Sequence, residues 1–428
     1  MSNGRIRGFG LGLAFTVVVV AAGCAGGDIR RAAPEGAGIA SAPLKEFSAV
    51  LQAKVDAGEI PGAVFLVARD GKVVWENAVG WRDREAKAPM TTDSIFRIMS
   101  MTKPVVAVAT LILVEEGKLR LDDAVSRYLP EFAQMQVGVE KAGASNKPEL
   151  VLEPARAPIT VLDLMRHTSG MTYAFTGRSL VRDRYNAANL QDPAQTNADF
   201  AAKLAKLPLQ WQPGQRFEYS HSYDVLARVV EVASGTGLAE FIAARITGPL
   251  GMKDSGFAVA AGSQARIAEP QVIAATGKRP EVRDMTKPAR WASGGGGMVA
   301  TAEDYARFCQ MLLDGGTLNG VRIISKESVA LMVKDHLPAL QPSSPFFFSP
   351  TVDNGNGYGL GVVVRTAQGT KGIPGSIGDI SWSGSNGTYF WVDPKERLVG
   401  ILMLQAPFVS VIPLWRSERD YVYRALGR

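Results

Sequence analysis

The chain has 428 residues, 46% of them hydrophobic and 21% charged, which suits a buried core and excludes wholesale disorder. Its formal net charge is +6, but the basic residues are dispersed apart from a modest cluster at Lys278, Arg279, Arg283, Lys287 and Arg290. No nucleic-acid partner is expected from such a distribution. Three histidines without ligand spacing argue against a metal centre, and the glycines 294–297 lack the Lys-Ser or Lys-Thr of a phosphate loop, so no cofactor is expected.

Arg5 and Arg7 precede an apolar stretch from Phe9 to Ala22, and Ala21-Ala22-Gly23 leads to Cys24. This reads as a signal peptide over residues 1–23; the stretch is shorter than the roughly 20 residues a membrane-spanning helix needs. The ending resembles a bacterial lipoprotein lipobox. That resemblance implies lipidation of Cys24, a lipid membrane as partner, and an exported bacterial membrane lipoprotein facing the periplasm or the cell exterior. Residues 24–42, rich in Gly and Ala, are then expected to be a lipidated N-terminus and tether. Cys309, the other cysteine, falls within Tyr305–Leu312 and reads as a buried helical thiol.

Leu44, Phe47, Val50, Leu51 and Val55 mark the apolar face of a helix that Gly58 can end. Ala63–Ala68 and Lys72–Val79 read as paired strands around the Asp70-Gly71 turn. A helix follows Ile98 and runs to Glu116. The middle of the chain reads as helices and loops, with helices at Val161–His167, Phe200–Leu207, Ser222–Ala233 and Leu238–Ile246. Strands return at Leu360–Arg365, Ile377–Ser381, Thr388–Val392 and Leu398–Gln405, before an amphipathic stretch after Val411. Strands at both ends with helices between predict an α/β fold with a sheet completed by both termini. Residues 43–115 and 291–428 supply the two parts of that α/β domain, and 116–290 form a mainly helical inserted domain. The active site is expected at their junction.

Ser100 and Lys103 stand three residues apart at the start of a helix, on one face. A serine hydroxyl needs a neighbouring base to act as a nucleophile. The apolar run Val105–Ile112 beside the pair would lower the lysine pKa and let it accept a proton. Tyr219 precedes the helix beginning near Ser222, and its phenol can shuttle a proton if positive charge from Lys103 lowers its pKa. Spacing alone leaves a helix cap beside a solvated lysine, and a core tyrosine, open as readings of these residues. His167 reads as holding a turn. The loop Pro345–Pro350, with Phe346, Phe347 and Phe348, could cover an apolar substrate or anchor itself to the core.

Ser100-Met101-Thr102-Lys103 resembles the first motif of serine beta-lactamases and penicillin-binding proteins. Tyr219-Ser220-His221 resembles the second motif of class C beta-lactamases, usually Tyr-x-Asn. Trp382-Ser383-Gly384, followed by Ser385, matches the third motif, usually Lys-Thr-Gly. Tryptophan in place of that lysine resembles the family VIII carboxylesterases. Ile159–Gly170 and the run Gly294–Met298 look characteristic of the same superfamily.

The resemblance implies a beta-lactamase-like antiparallel sheet flanked by helices. It also implies hydrolysis of a small-molecule ester through a covalent acyl-Ser100, with Lys103 and Tyr219 relaying the proton. The backbone N–H groups of Ser100 and Ser385 would hold the oxyanion. Gly384 would let the strand approach the substrate. Trp382 and Ser383 would line the substrate, with Trp382 giving an apolar surface and removing a cation, which favours neutral esters. His221 would orient the acyl group, bond to Lys103 or stand as a wall residue. A beta-lactamase, a D-stereospecific peptidase, a slow-turnover penicillin-binding protein and a catalytically inactive surface-binding protein remain open alternatives, and weak beta-lactamase activity is compatible with the esterase reading.

Overall fold

The computed structural model describes Met1 and residues 29–143, 147–273, 276–337, 355–368 and 372–428. Cys24, the signal segment and the loop Pro345–Pro350 lie outside the described residues.

A mixed sheet organises the molecule. Its strands are β1 (Arg30–Arg31), β2 (Gly62–Arg69), β3 (Lys72–Asp83), β4 (Asn356–Tyr358), β5 (Val363–Arg365), β6 (Ile380–Ser383), β7 (Tyr389–Asp393) and β8 (Leu398–Leu404). They run in the order β1-β3-β2-β8-β7-β6-β5-β4, with Ala88–Pro89 added beside β3. Only the β1–β3 pair is parallel. The two ends of the chain meet where β2 pairs with β8, Phe65 opposite Leu402 and Ala63 opposite Leu404. At the turn between β2 and β3, Asp70 and Gly71 both have positive φ, +50° and +75°. That is the left-handed pair which a tight two-residue hairpin requires.

Period-two alternation splits β2 and β8 between two cores. Phe65, Val67, Leu398 and Leu402 pack beneath helices α1 (Ser41–Asp56) and α5 (Phe408–Ala425). Phe47 meets Phe65 edge-on at 4.9 Å. Val64, Leu66, Val399 and Ile401 face the other way, into a larger core shared with α2 (Thr102–Glu115), α3 (Ser222–Ser234) and α4 (Ala302–Leu313). Both faces being covered explains why β2 and β8 read as unbroken apolar runs rather than alternating ones. Helix α2 is wrapped on every side, with all residues from Thr102 to Leu113 buried. Cys309 is buried in α4.

Three features depart from the sequence reading. The stretch expected to be a tether docks from residue 29 onward: Ile29 and Ile39 are buried, and Arg30–Arg31 pairs with Lys72–Val73. Isolated isoleucines among Gly and Ala do not announce a packed segment, because a two-residue strand has no periodicity. A hairpin, Gln136–Ala142 with Pro148–Pro154, stands where helices and loops were expected. The strand expected at Ile377–Ser381 begins later, so Trp382 and Ser383 lie within β6 rather than after it.

Docking of the N-terminal segment makes Ile39→Ala a core truncation. It should cost about 2–5 kcal/mol, read as a lower denaturant midpoint; an unchanged midpoint would mean that the segment is a tether after all.

Candidate active site

The first turn of α2 brings the central pair together. Met99–Met101 forms a 3-10 turn leading into α2, and Met99 has φ +48°, an uncommon conformation for a side chain of its size. The loop before it is tied down on two sides. The Ile98 carbonyl accepts from Thr388 Oγ1 at 3.1 Å, and the Ile98 N–H donates to the Met298 carbonyl at 3.1 Å. A Cβ on Gly384 would fall 2.4 Å from the Ile98 carbonyl oxygen. The glycine therefore lets β6 approach the nucleophile's own loop, where the sequence reading had it approach the substrate.

Two groups converge on the Ser100 hydroxyl. The Tyr219 hydroxyl donates to Ser100 Oγ at 2.7 Å, and Lys103 Nζ lies 3.1 Å from the same oxygen. Lys103 Nζ also donates to the Gly295 carbonyl at 2.7 Å and reaches the Tyr173 hydroxyl at 3.4 Å. Burial brings the Lys103 ammonium down to about 7, against a smaller opposing pull from the Asp224 carboxylate. A neutral amine has two N–H donors and one lone pair. Gly295 and Tyr173 can take the two donors, which leaves the lone pair for the Ser100 hydroxyl proton.

Tyr219 differs from the expectation that Lys103 would acidify it. Burial raises its phenol, and the neighbouring Ser100 hydroxyl and Trp382 indole, which lower it, are smaller effects. The phenol is therefore neutral at physiological pH and serves as a hydrogen-bond donor. His167 packs against its ring at 4.8 Å, fully buried with φ +56°. Burial and the neighbouring Lys103 charge hold His167 well below the ordinary histidine value, so it too is neutral.

His221 does not bond to Lys103. Its Nδ1 pairs with Asp224 Oδ2 at 3.2 Å, three residues along α3. Asp224 is the residue that sequence reasoning missed. Its other oxygen accepts from Ser293 Oγ at 2.5 Å and from the Gly295 N–H at 3.1 Å. Burial alone would raise this carboxyl, but the bonds from His221 and Ser293 and the Lys103 charge together hold it below the usual range. A Cβ on Gly295 would fall 2.6 Å from Asp224 Oδ2, which is why a glycine stands there. The His221-x-x-Asp224 spacing at a helix start is the signal that could have found the pair. Tyr173, also missed, sits in a loop with no such pattern.

Trp382 is only 3% exposed and meets Tyr219 and Tyr358 edge-on, each at 5.5 Å. It supports the tyrosine more than it offers a wide surface to a substrate. Ser383 is buried beside it, and Ser385 is exposed in the following turn. Ser100, Tyr219, His221, Trp382, Ser383 and Ser385 all line one cavity of about 990 Å³. The predicted site residues, apart from Lys103 beneath the floor and Gly384 beside it, thus open onto a single space large enough for a drug-sized molecule.

Residues 47–422 match the Beta-lactamase family. The chain belongs to the beta-lactamase family. Relatives within reach include a Mycobacterium tuberculosis protein, Rv1367c, 38% identical over 83% of this chain and 88% of its own length. Esterase EstB of Burkholderia gladioli is 31% identical over 85% of this chain and 90% of its own. Among solved structures, EstCE1, described as a hydrolase with promiscuous acyltransferase activity, superposes with a TM-score of 0.73 at 27% identity, covering 89% of this chain and 98% of that one. The resemblance to family VIII carboxylesterases drawn from the motifs agrees with these esterase relatives, and the beta-lactamase-like fold is the one observed.

Asp224 reaches Ser100 only through other groups: it accepts from the Gly295 N–H, and the Gly295 carbonyl holds Lys103. Its charge holds the Lys103 pKa up, so Asp224→Asn should move that pKa below about 7. The rate at which an uncharged fluorophosphonate labels Ser100 should fall as pH drops through the Lys103 pKa, because the protonated amine cannot accept the serine proton. In the variant this acid limb should lie at lower pH, with a reduced plateau from the loosened Gly295. An identical limb in both proteins would remove Asp224 from the account.

Proposed function

We propose that this chain is a serine carboxylesterase working through an acyl-Ser100 intermediate. The observation that carries the reading is the Ser100 hydroxyl held between Tyr219, at 2.7 Å, and Lys103, at 3.1 Å, on the wall of the cavity. Ser100 Oγ attacks the ester carbonyl carbon while its proton passes to the neutral Lys103 amine. The backbone N–H groups of Ser100 and Ser385 receive the developing oxyanion. The carbon–oxygen bond to the alcohol breaks, and the departing alkoxide takes a proton from the Lys103–Tyr219 pair. Water then attacks the acyl-serine, passes its proton back through the same pair and restores the serine hydroxyl. Lys103 is the base in both halves, because its pKa lies near the working pH while that of Tyr219 is raised.

Trp382, where the lactamase-like motif carries lysine, favours esters over beta-lactams, since no cation at that position meets a lactam carboxylate. The basic, apolar and small-residue sequence before Cys24 supports export and lipid anchoring as part of the same proposal.

Two measurements decide this. Mass spectrometry after quenching with a p-nitrophenyl ester should find the acyl group on Ser100 and none on Ser100→Ala. Lys103→Ala and Tyr219→Phe should each lower kcat by roughly 10²-fold or more, with effects that do not add in free energy. An acyl group trapped elsewhere, or turnover of a chromogenic cephalosporin far above that of any ester, would refute the esterase reading. For the anchor, intact mass of the protein from a bacterial host should show lipid on Cys24, and a mature N-terminus without it would refute that part.

A further inference from the structure

The lining of the cavity includes two arginines in unlike states. Arg97 is fully engaged: it pairs with both Glu269 oxygens at 3.2 Å and donates to the carbonyls of Ala268 and Arg283. Arg283 is half-buried and lines the same cavity as Ser100. Its Nη2 donates to the Trp291 carbonyl at 2.6 Å. Among the described residues no carboxylate lies within ion-pair distance of its guanidinium. The acids nearest in the lining do not neutralise it. Asp224 has both oxygens committed to His221, Ser293 and Gly295, and Glu281 is exposed and has no ion-pair partner among the described residues.

A guanidinium keeps its charge in a protein and presents five donors in a planar fork matched to a carboxylate. Here one acceptor is supplied by the protein, and burial makes the charged form harder to hold. A desolvated cation in a binding cavity, left without its counter-ion, is a place for a substrate's anion. Its backbone carbonyl is fixed by Arg97 and its side chain by Trp291, so it is positioned by the wall rather than free in solvent.

We propose that the physiological ester carries a carboxylate and that Arg283 receives it, on the wall of the cavity that holds Ser100. The proposal rests on the esterase reading and names its substrate class. It reverses the expectation, drawn from Trp382 alone, that the site prefers neutral esters: the cation is absent from the third motif and present elsewhere.

Matched substrates test it. Mono-p-nitrophenyl adipate against p-nitrophenyl hexanoate places the anion on the acyl side. Para-acetoxybenzoate against its methyl ester places it on the alcohol side. In at least one pair the charged-to-neutral ratio of kcat/KM should fall roughly 10- to 150-fold in Arg283→Gln, and Arg283→Lys should restore part of it. Raising ionic strength should lower the ratio in the wild type only. Circular dichroism establishes that both variants are folded. A ratio that is the same in wild type and Arg283→Gln for both pairs overturns the proposal. If no ester is turned over, the esterase reading fails separately. The Arg283 assignment is then decided by calorimetric binding of monomethyl adipate to Ser100→Ala protein with and without Arg283→Gln, where equal affinity, or no binding to either, overturns it.

Discussion

A lysine amine buried in the first turn of a fully wrapped helix is the constraint on which the rest of the site depends. Lys103 is fully buried, and an ammonium there loses its hydration without gaining a contact carboxylate. The partners it does have are neutral: the Gly295 carbonyl, the Tyr173 hydroxyl and Ser100 itself. Three acceptors could serve the three N–H donors of an ammonium equally well, so it is burial, not bonding, that brings the pKa down. Asp224 sets the limit to this effect. It lies close enough to pull the pKa back toward the ordinary value, yet its oxygens are committed to Ser293, His221 and the Gly295 N–H. The same peptide region therefore links the carboxylate to the amine, through the N–H of Gly295 on one side and its carbonyl on the other.

Rigidity around that turn comes from the sheet. Ile98 is bonded to Met298 on one side and to Thr388 on the other, and Tyr305 donates to the Met101 carbonyl at 2.8 Å. The loop that carries Ser100 is thereby fixed to the turn between β6 and β7, to the glycine run and to α4 at once. Because Thr388 belongs to the C-terminal half of the chain and α2 to the N-terminal half, this arrangement draws on both halves, which meet where β2 pairs with β8. Residues nearly 300 positions apart are held by a bond such as Thr388 to Ile98, with a separation of 290, which makes the site a product of the whole fold rather than of one segment.

What was legible in the sequence follows burial and periodicity. The apolar runs of β2 and β8, the Asp70-Gly71 turn and the Ser100–Lys103 spacing each leave a local pattern that reads as strand, turn and shared helix face, and the structure has all three. Ile29 and Ile39 left none, since each packs as a single side chain within a Gly- and Ala-rich stretch. The hairpin Gln136–Ala142 with Pro148–Pro154 was missed for the opposite reason: Val151 and Leu152 both remain exposed, so its apolar residues do not sort into an inner and an outer row. Within the site, the side chains proposed to act on the substrate were found by motif. Those that act through another group, Asp224 and Tyr173, were not, because their positions are set by packing between α3, the glycine run and a loop. The error over Tyr219 has the same origin: spacing can bring a lysine near a phenol, but only the burial of both says which of them loses its charge.

That error bears on the exchange at position 382. A lysine there would set a second amine near Tyr219 and Lys103 in a space with little water. Two neighbouring cations depress one another, and either would stabilise a tyrosinate. Tyr219 could then share the role of base. With Trp382 the neighbour is an uncharged indole that packs edge-on against the ring at 5.5 Å. It lowers the phenol's pKa less than burial raises it. The phenol stays protonated, and in the proposed mechanism proton acceptance falls to Lys103 alone. The substitution that distinguishes the third motif thus changes the division of labour between the two residues before it changes what the cavity binds.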